Sequence, residues 1–345
     1  MCYTDFVPLE TFGLENPANS DGRAKRIALV GPTASGKTAV GILLAQRLDA
    51  EIISADSMQV YRRMDIGTAK PTPLEQRQVV FHAIDLVDPD QEWTLADYQR
   101  LGECVCGEIE ARHRVPLIVG GTGLYVRALT TRLDIPAAPP DEALRAHWRG
   151  FALEYGNSAL LAEVARIDPE TAVRLHLNDI GRQIRALEVF AATGQTLTEL
   201  HAENRANQSL EQPLLFGLHF ADRETLYRRI DTRVEEMLAG EFLAEVSSLL
   251  ASGYDACLKP LQALGYRQLT AFLAGECKLE TAVAEIKQET RRFAKRQMIW
   301  FRGDKRIHWV AADDRSPEQI ADEIYESLRI AGSSLQANEE GDRNI

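Results

Sequence analysis

Short apolar runs, rich in β-branched residues, alternate with longer amphipathic stretches through the first part of the chain. The apolar runs lie near Arg26–Val30, Glu51–Ser54, Val79–Leu86 and Pro116–Val119. The stretches between them have the apolar spacing of helices and include Thr38–Leu48, Thr94–His113 and Thr122–Leu129. Strands that are apolar along their whole length are typical of a parallel sheet buried on both faces. The sequence therefore predicts an α/β fold, with a parallel sheet covered by helices.

A proline-rich segment, Ile135–Pro140, ends this alternation. Between Asp141 and Asn204 there is no strand candidate, and the apolar spacing instead predicts four short helices: Glu142–Tyr155, Ser158–Ile167, Asp168–Leu175 and Asp179–Thr193. We therefore predict a helical insertion at residues 136–205. The α/β core would consist of residues 26–135 and 206–331.

The rest of the core follows the insertion. We predict a strand, two long helices, a strand and a final helix, in that order: Leu214–Phe220, Arg223–Ser252, Leu279–Phe301, Arg306–Val310 and Pro317–Ala331. Ser316 followed by Pro317 is a typical helix start. Both ends of the chain are polar, so we expect a flexible extension at residues 1–25 and a disordered tail at residues 332–345.

The most specific motif is the octapeptide G-P-T-A-S-G-K-T, which lies between the first predicted strand and the first predicted helix. It has the form G-x-x-x-x-G-K-[ST] of a phosphate-binding loop, or P-loop, in which backbone N–H groups and a helix N-terminus surround an anion. In such loops the lysine contacts the terminal phosphate oxygens and the last hydroxyl binds Mg²⁺. The predicted phosphate-binding residues are Gly31, Pro32, Thr33, Ala34, Ser35, Gly36, Lys37 and Thr38.

Polar residues follow two of the other predicted strands. Asp56 comes after the second strand, and ligands of open parallel sheets bind at the carboxyl ends of strands, so Asp56 is expected beside the P-loop. A carboxylate there can accept a proton from a nucleophile or bind Mg²⁺, although an aspartate that only caps a turn is the alternative. Asp85 is a rival candidate, but its strand is farther from the P-loop along the chain. Thr122 follows the strand Pro116–Val119 within a G-G-T-G turn that allows close approach of a ligand.

These residues predict a phosphate ester as ligand but leave the reaction open. An ATP-driven motor needs a clear Walker-B acid and coupling elements, and the sequence offers no convincing set. A small-molecule kinase would bind ATP in the P-loop and use Asp56 to activate an acceptor hydroxyl. Alternatively, the P-loop holds a diphosphate leaving group, which Mg²⁺ and Lys37 neutralise while Asp56 deprotonates a nucleophile that attacks carbon. The residues alone do not distinguish these two reactions.

The charge distribution modifies the prediction of partners. The formal net charge of −12 argues against a nucleic-acid partner, yet Lys287–Arg306 carries eight Lys/Arg and only two Asp/Glu. Nine Asp/Glu and three Arg follow in Ala311–Ile345, so a basic helix precedes an acidic tail. There is no run of about 18 apolar residues that would predict a membrane span. The five scattered cysteines predict no disulfide framework, and we expect a cytoplasmic protein.

Eight short strings occur in a specific order along the chain. They are GPTASGKT (Gly31–Thr38), ISADSMQVY (Ile53–Tyr61), MDIGTAKP (Met64–Pro71), IVGGTGLY (Ile118–Tyr125), RQIRALEV (Arg182–Val189), GQTLTEL (Gly194–Leu200), ALGYRQ (Ala263–Gln268) and AKRQ (Ala294–Gln297). Between about residue 26 and residue 310 the chain resembles the bacterial type of tRNA dimethylallyltransferases. The resemblance implies a P-loop NTPase-like fold, and transfer of a dimethylallyl group from its diphosphate to N6 of the adenosine on the 3′ side of the anticodon.

The resemblance also implies roles for individual residues. The P-loop would hold the diphosphate with magnesium near Thr38, and Asp56 matches the family's catalytic aspartate, which hydrogen-bonds the adenine amine. With Asp56 we assign Lys37, Thr38 and Thr33 to the catalytic set. The tRNA contacts expected from the resemblance are Asp56, Ser57, Met58, Gln59, Thr122, Arg145, Gly181, Arg182, Gln183, Ile184, Arg185 and Arg267. The basic helix adds Arg291, Lys295 and Arg296.

Two alternatives remain at this point, an enzyme that prenylates free adenine nucleotides and, more remotely, a P-loop kinase. The helical insertion and the basic helix favour a polynucleotide acceptor, because RNA loops are bound through their phosphates and splayed bases. We therefore expect dimethylallyl diphosphate and the anticodon stem-loop of tRNA as partners. We also expect a monomer that has no membrane contact.

Overall fold

The structure is a computed structural model that describes residues 26–131, 133, 135, 136, 138–206 and 213–342, with side chains described except at 204–206 and 331–342. The predicted extension at residues 1–25 lies outside these residues. The chain divides into two compact units: Met1–Thr130 with Glu211–Ile345, and Thr131–Leu210. The second unit corresponds to the predicted helical insertion, with boundaries about five residues farther out on each side.

Six parallel strands form one sheet in the first unit. They are β1 (Ile27–Val30), β2 (Ala50–Ala55), β3 (Phe81–His82), β4 (Val115–Gly120), β5 (Leu214–His219) and β6 (Ile307–Ala311). Their order across the sheet is β3-β2-β4-β1-β5-β6, and every neighbouring pair is parallel. All residues of β1, β2 and β4 are buried, as expected for strands covered on both faces. The prediction of a parallel α/β sheet is confirmed.

Fourteen helices accompany these strands in the described part of the chain. They are α1 (Lys37–Leu48), α2 (Pro73–Gln76), α3 (Leu95–Ala111), α4 (Gly123–Thr130), α5 (Glu142–Tyr155), α6 (Asn157–Ile167), α7 (Pro169–Arg174), α8 (Ile180–Thr193), α9 (Leu197–Ala206), α10 (Arg223–Ala239), α11 (Phe242–Ala251), α12 (Tyr266–Leu273), α13 (Leu279–Arg302) and α14 (Pro317–Asp342). None of the described helices is long and apolar enough to cross a membrane. Helices α5 to α9 form the second unit, and the others belong to the first.

The carboxyl ends of β1, β4 and β2 lie side by side in the sheet. Val30 at the end of β1 is in register with Gly120 at the end of β4, and Gly120 is in register with Ala55 at the end of β2. Neighbouring strands are about 4.8 Å apart, so the ends of β1 and β2 are separated by about 10 Å. The P-loop, the turn after β4 and Asp56 therefore begin at one edge of the sheet.

Two predicted elements differ in extent from the observed ones. The run Val79–Leu86 forms only the two-residue strand β3, because Ala83 and Asp85 adopt left-handed φ angles of 61° and 52° that end the extended backbone. The single helix predicted over Arg223–Ser252 is divided into α10 and α11. Glu241, with a φ of 71°, starts the second helix in a new direction.

The observed structure also differs from the sequence prediction at the C-terminal helix and at three short helices. Helix α14 continues to Asp342, whereas the sequence predicted its end at Ala331 and disorder beyond it. The segment after Ala331 mixes good helix formers such as leucine, alanine and glutamate with glycine and serine, so local propensity does not by itself explain this extension. Helices α2, α9 and α12, which have four, ten and eight residues, were not predicted from the sequence.

The second unit has an apolar core of its own, to which Leu160, Val164 and Ile184 contribute. The buried carboxylate of Asp168 accepts hydrogen bonds from the N–H of Thr171 in α7 and from the N–H of Thr198 in α9, both at 3.0 Å. It therefore caps α7 and fixes α9 at the same point. The described residues of this unit contain helices and no strand, as predicted for the insertion.

Candidate active site

The P-loop at residues 31–38 has the backbone conformation of an anion site. Gly36 has a φ of 87°, which glycine adopts without strain, and α1 begins at the next residue. No side chain caps the start of α1, so its first N–H groups remain free to bind a ligand. The Nζ of Lys37 donates a hydrogen bond to Pro32 O at 2.7 Å, which folds this side chain over the loop.

Three charged groups, on Lys37, Asp56 and Arg233, share the space above the P-loop and remain partly exposed. Burial, assisted by the positive charge of Arg233, lowers the pKa of Lys37 to about 7, although Asp56 opposes this. Burial is the largest effect on Asp56 and raises its pKa. The N–H groups of Met58 and Gln59 and the positive charges of Lys37 and Arg233 lower it by less. Burial likewise lowers the pKa of Arg233. Each group is thus disfavoured in its charged form and gains from a ligand of opposite charge.

Asp56 is held in the turn that follows β2. Its Oδ1 accepts a hydrogen bond from the N–H of Met58 at 2.8 Å. The N–H of Ser57 donates to Thr122 Oγ1 at 3.1 Å, and the N–H of Thr122 donates to Ala55 O at 3.0 Å. These bonds connect the turns after β2 and β4. The structure therefore brings together Asp56, Ser57 and Thr122, as the strand-end argument predicts.

Gln59 has an internal role in this turn. Its side chain is buried, with Oε1 accepting from Ser54 Oγ at 2.8 Å and Nε2 donating to Thr68 O at 3.2 Å and Ala69 O at 3.1 Å. All of these partners are protein groups. Gln59 lines the cleft, but these three hydrogen bonds engage its amide within the protein, which argues against the predicted tRNA contact for this side chain. Met58 next to it is half-buried.

Gln297, near the C-terminal end of α13, connects the P-loop with the turn after β4. Its Oε1 accepts from the N–H of Thr33 at 2.8 Å, and its Nε2 donates to Gly121 O at 3.0 Å. Gly121 has no room for a side chain, since a Cβ there would lie 2.2 Å from the Nε2 of Gln297. Gln297 thus fixes the spacing of the two loops. The AKRQ string contains this residue, but sequence reasoning assigned it no role, because 264 positions separate it from Thr33.

Helix α10 contributes two arginines that sequence reasoning also missed. Arg229 Nε donates to Ala34 O in the P-loop at 3.0 Å. Arg233, one turn later, lines the space above the P-loop, and no carboxylate of the described residues forms a salt bridge with it. Two arginines four positions apart on a predicted helix were the available signal, because such residues lie on one helix face.

One cleft of about 1420 Å³ is lined by residues 33–38 of the P-loop together with Asp56, Gln59, Gly121, Arg229, Arg233 and Gln297. Its polar part consists of the P-loop, Asp56 and the α10 arginines, whereas Ile66, Val119 and Phe293 are among its apolar lining residues. The cleft therefore offers an anion site beside an apolar region and a carboxylate. This arrangement suits a phosphate ester of an apolar group together with a second, proton-donating reactant.

Two family models match the chain. The model described as IPP transferase matches residues 59–304, and the model described as isopentenyl transferase matches residues 25–81. The first match covers well over half of the chain. The chain belongs to the IPP transferase family.

Relatives in this family carry informative names. The tRNA dimethylallyltransferase 2 of Geotalea uraniireducens is 46% identical over 85% of this chain and 94% of that protein. The tRNA dimethylallyltransferase of Geobacillus thermodenitrificans is 43% identical over 91% of this chain and 99% of that protein.

Solved structures of family members share the fold. The tRNA isopentenylpyrophosphate transferase of Bacillus halodurans is 38% identical, with a TM-score of 0.67 over 91% of this chain and 99% of that chain. A eukaryotic dimethylallyltransferase acting on tRNA is 26% identical, with a TM-score of 0.69 over 84% of this chain and 74% of that chain. These comparisons confirm the predicted family and its fold.

The oxygen groups in the cleft of this IPP transferase family member would suit a magnesium ion only if a phosphate ligand supplied further oxygens. No group of three or more His, Cys, Asp and Glu in the described residues could hold a metal ion by itself. Thr38 and Asp56 both line the cleft beside the anion site. Mg²⁺ keeps several waters and binds through few protein oxygens plus substrate phosphates, so a single hydroxyl such as that of Thr38 suffices.

In the second unit, two arginines predicted to contact tRNA form an internal ion-pair network. Arg145 Nε lies 2.8 Å from Glu188 Oε1, and Arg185 lies 2.5 Å from Glu188 Oε2. Glu188 is 1% exposed, and both arginines keep part of their surface in solvent. The arginines therefore compensate a buried carboxylate, which limits how far either can turn toward an RNA phosphate.

The other residues of α8 that were predicted to contact tRNA include both buried and exposed side chains. Gln183 is 0% and Ile184 4% exposed, and Gln183 Nε2 donates to His176 O at 3.0 Å. Their burial in the core of the helical unit argues against the predicted tRNA contact of these two side chains. Gly181 and Arg182 are exposed at the start of the helix and stay available to a ligand.

The basic residues of α13 differ in their partners. Arg291 forms a salt bridge with Asp231 and lies over the ring of Tyr227, so its charge is largely compensated within the fold. Lys295 and Arg296 are exposed, and neither has a carboxylate partner among the described residues. The predicted contact at Arg291 is therefore less suited to RNA than those at the other two positions.

Arg267, the remaining predicted tRNA contact, is exposed on α12. Its salt bridge with Glu285 is long, at 3.5 Å, and both side chains are about half exposed. Such a surface pair is worth little, so the Arg267 side chain can exchange this partner for a phosphate.

Proposed function

We propose that this chain transfers a dimethylallyl group from dimethylallyl diphosphate to N6 of the adenosine on the 3′ side of the anticodon in tRNA, with release of diphosphate. The observation that carries the proposal is the position of the P-loop, with Lys37 and Arg233, beside the carboxylate of Asp56 in one cleft. The names of the relatives support tRNA as the acceptor and a prenyl group as the transferred unit.

The reaction breaks the bond between C1 of the donor and the diphosphate oxygen, and forms a bond between C1 and N6. The adenine amine is a poor nucleophile, because its lone pair is delocalised into the ring. An allylic donor compensates for this, since positive charge spreads over the allyl group as the electron pair of the C–O bond leaves with the diphosphate. The amine loses one proton. The site must therefore provide a sink for the diphosphate and a proton acceptor within the same cleft.

The residues of the cleft divide these tasks. The ammonium of Lys37, the guanidinium of Arg233 and the P-loop N–H groups bind the diphosphate and stabilise the charge that develops on it. The ionised carboxylate of Asp56 hydrogen-bonds the amine and accepts its proton. Thr33 and Thr38 also line the cleft, and we assign their hydroxyls to binding of the donor. Gln297 holds the N–H of Thr33 and so keeps the P-loop in register with the turn after β4.

Magnesium completes the proposed donor site, with Thr38 as its protein ligand. Bound there together with the diphosphate, the ion would supply positive charge against the leaving group. Lys37 and Arg233 add positive charge from the protein side, and no other described residue is required as a ligand.

The acceptor is proposed to bind through exposed basic and polar positions of each unit. Lys295, Arg296 and Arg267 in the first unit, and Arg182 in the second, are exposed and available to backbone phosphates. The target base must leave its stack to reach Asp56, and this costs least in a single-stranded loop such as the anticodon loop. Because tRNA is the acceptor, we also propose a cytoplasmic location. The expectation that the chain acts as a monomer stays a prediction.

The direct test offers the purified protein one labelled donor and several acceptors. With dimethylallyl diphosphate and Mg²⁺ we expect label in unmodified tRNA and none in AMP. Label in AMP but not in tRNA would overturn the proposed acceptor and identify an adenine-nucleotide prenyltransferase. Phosphate transfer from ATP, without use of the prenyl donor, would instead identify a kinase.

A further inference from the structure

One carboxylate outside the reacting groups is held in an unusual setting. Glu245, on α11, accepts hydrogen bonds from three consecutive backbone N–H groups, those of Asp65, Ile66 and Gly67, at 2.9, 2.7 and 3.2 Å. Three N–H groups that converge on one point form a nest for an anion. Here the anion is a side chain from a helix about 180 positions away along the chain.

The groups around the Glu245 carboxylate are closely packed. Tyr266, from α12, donates its hydroxyl to Glu245 Oε1 at 2.6 Å, and its ring packs edge-on against Phe242 at 5.1 Å. A Cβ on Gly67 would lie 2.3 Å from the Phe242 ring, so only glycine fits there. Glu245 is therefore not a surface acid that happens to lie near a loop. Together with Phe242, it contacts the backbone of residues 64–71, which we call the 64–71 loop.

The 64–71 loop in turn holds the residues next to Asp56. The carbonyl groups of Thr68 and Ala69 accept the two hydrogen bonds from Gln59 Nε2. Gln59 belongs to the same turn as Asp56, in which the N–H of the preceding residue, Met58, donates to Asp56 Oδ1 at 2.8 Å. Contacts thus run from Glu245 through the 64–71 loop and Gln59 to the turn that holds the carboxylate of Asp56.

A second connection fixes the far end of the same loop. The side chain of Lys70 is 3% exposed and donates to Tyr61 O at 2.9 Å and to Asp85 at 2.6 Å, and it also pairs with Asp65. Asp65, Thr68 and Lys70 all line the cleft. The loop is therefore part of the cleft wall, and its position depends on the buried lysine at one end and on Glu245 at the other.

We propose that Glu245 is a positioning residue for the transfer step: it fixes the 64–71 loop and, through Gln59, the orientation of the Asp56 carboxylate. This inference rests on the proposed function. Glu245 touches no reacting atom, and the P-loop has separate supports in Gln297 and Arg229. Loss of the Glu245 carboxylate should therefore disturb the proton acceptor and leave the diphosphate site intact.

The test is Glu245→Gln, which replaces one carboxylate oxygen by an amide NH₂ that cannot accept the loop N–H groups. We expect kcat for transfer to tRNA to fall by about 10-fold or more, because small misplacements of a catalytic group have large effects on rate. The KM for the prenyl donor should stay within about twofold of wild type. Glu326→Gln, which breaks an exposed salt bridge with Arg329 on α14, is the matched control and should leave both parameters unchanged.

A double-mutant cycle with Gln59→Met distinguishes positioning from a general effect on folding. If Glu245 acts through Gln59, the decrease in kcat in the double variant is smaller than the product of the two single decreases. Multiplicative effects, or a rise in donor KM that accounts for the whole loss, would overturn the proposal. If Glu245→Gln does not fold, Tyr266→Phe perturbs the same carboxylate by one hydrogen bond, and the same cycle applies.

The outcomes for this inference and for the proposed function are distinguishable. If wild type and Glu326→Gln transfer no prenyl group to tRNA, the proposed function fails. If both are active and Glu245→Gln is equally active, the function stands and the positioning role is refuted.

Discussion

Lys37 and Asp56 are residues of opposite charge in one cleft, and burial disfavours the charged form of each. A lysine with a lowered pKa and an aspartate with a raised pKa are poised to respond to ligands. A bound diphosphate restores the preference of Lys37 for its protonated form, because an adjacent negative charge raises a pKa. The pair therefore links donor binding to the ionisation states that the transfer needs.

The role of Asp56 can be tested by Asp56→Ala. Removal of the carboxylate deletes the proton acceptor for the adenine amine, so kcat should fall by roughly 10²-fold or more. Affinity for tRNA should be largely retained, because one uncharged residue replaces a group that contributes little to phosphate binding. Single-turnover rates and tRNA binding measured on the same samples check both parts. An unchanged kcat would remove Asp56 from the reaction.

The pKa shifts predict a pH profile for kcat/KM of the prenyl donor. The protonated form of Lys37 binds the diphosphate, so the parameter should decline as the pH rises through about 7, the pKa of Lys37. The ionised form of Asp56 accepts the proton, so the parameter should also decline as the pH falls through the raised pKa of Asp56. The profile should therefore be bell-shaped.

Lys37→Arg identifies the group behind the alkaline limb of this profile. Arginine does not deprotonate in the accessible range, so the decline near neutral pH should disappear even if the overall rate is lower. Wild type measured in the same buffers serves as the reference. Persistence of the same alkaline decline in Lys37→Arg would assign it to another group.

At the scale of elements, the basic residues of α13 fall into two groups, those paired with carboxylates of the protein and those exposed without such a partner. Its earlier part directs Lys287, Arg291 and Arg292 to carboxylates within the fold, namely Glu235, Asp231 and Glu289. Its later part presents Lys295 and Arg296 without such partners among the described residues. Only the later part is therefore expected to contribute to RNA binding.

Two variants of α13 test this division. Replacing both Lys295 and Arg296 with Ala should weaken tRNA binding and reduce the slope of log affinity against log salt concentration by about two, one for each lost phosphate contact. Arg291→Ala is the comparison: it should leave the salt slope unchanged and lower the thermal unfolding midpoint, because Asp231 loses its partner. A reduced slope in Arg291→Ala alone would reverse the assignment.

The elements also indicate how much of the site was predictable. The P-loop and Asp56 could be predicted because each is a local signal, an octapeptide or a residue at a strand end, and β2, β4 and β1 are neighbours. Gln297 and Glu245 could not, because each contacts its loop from a distant helix.

The misjudged positions have physical explanations as well. The spacing of α8 predicts its helix correctly, but which of its residues are buried depends on how α5 and α6 pack against it, and this hides Gln183 and Ile184. Likewise, β3 ends at His82 because Ala83 and Asp85 adopt left-handed φ angles, and the Asp85 carboxylate pairs with Lys70 from another part of the chain. Tertiary contacts, rather than local propensity, decided these cases.

At the scale of the whole molecule, the strand order explains why a P-loop fold suits this reaction. The middle strand β4 places a glycine turn between the diphosphate site after β1 and the proton acceptor after β2. A separation of about 10 Å leaves space for an allyl group and an adenine edge between them. The P-loop thus serves as a site for a leaving diphosphate, and hydrolysis of ATP is not part of the proposed reaction.

The measurement that tests this account most directly is product analysis of a reaction without ATP. The purified protein is incubated with dimethylallyl diphosphate, Mg²⁺ and an unmodified tRNA, and the diphosphate released is compared with the prenylated adenosine found after nuclease digestion. We predict that one diphosphate is released for each N6-dimethylallyl adenosine formed, located next to the anticodon, and that Asp56→Ala forms almost none. Diphosphate release without a prenylated nucleoside, or product formation that requires ATP, would contradict the account.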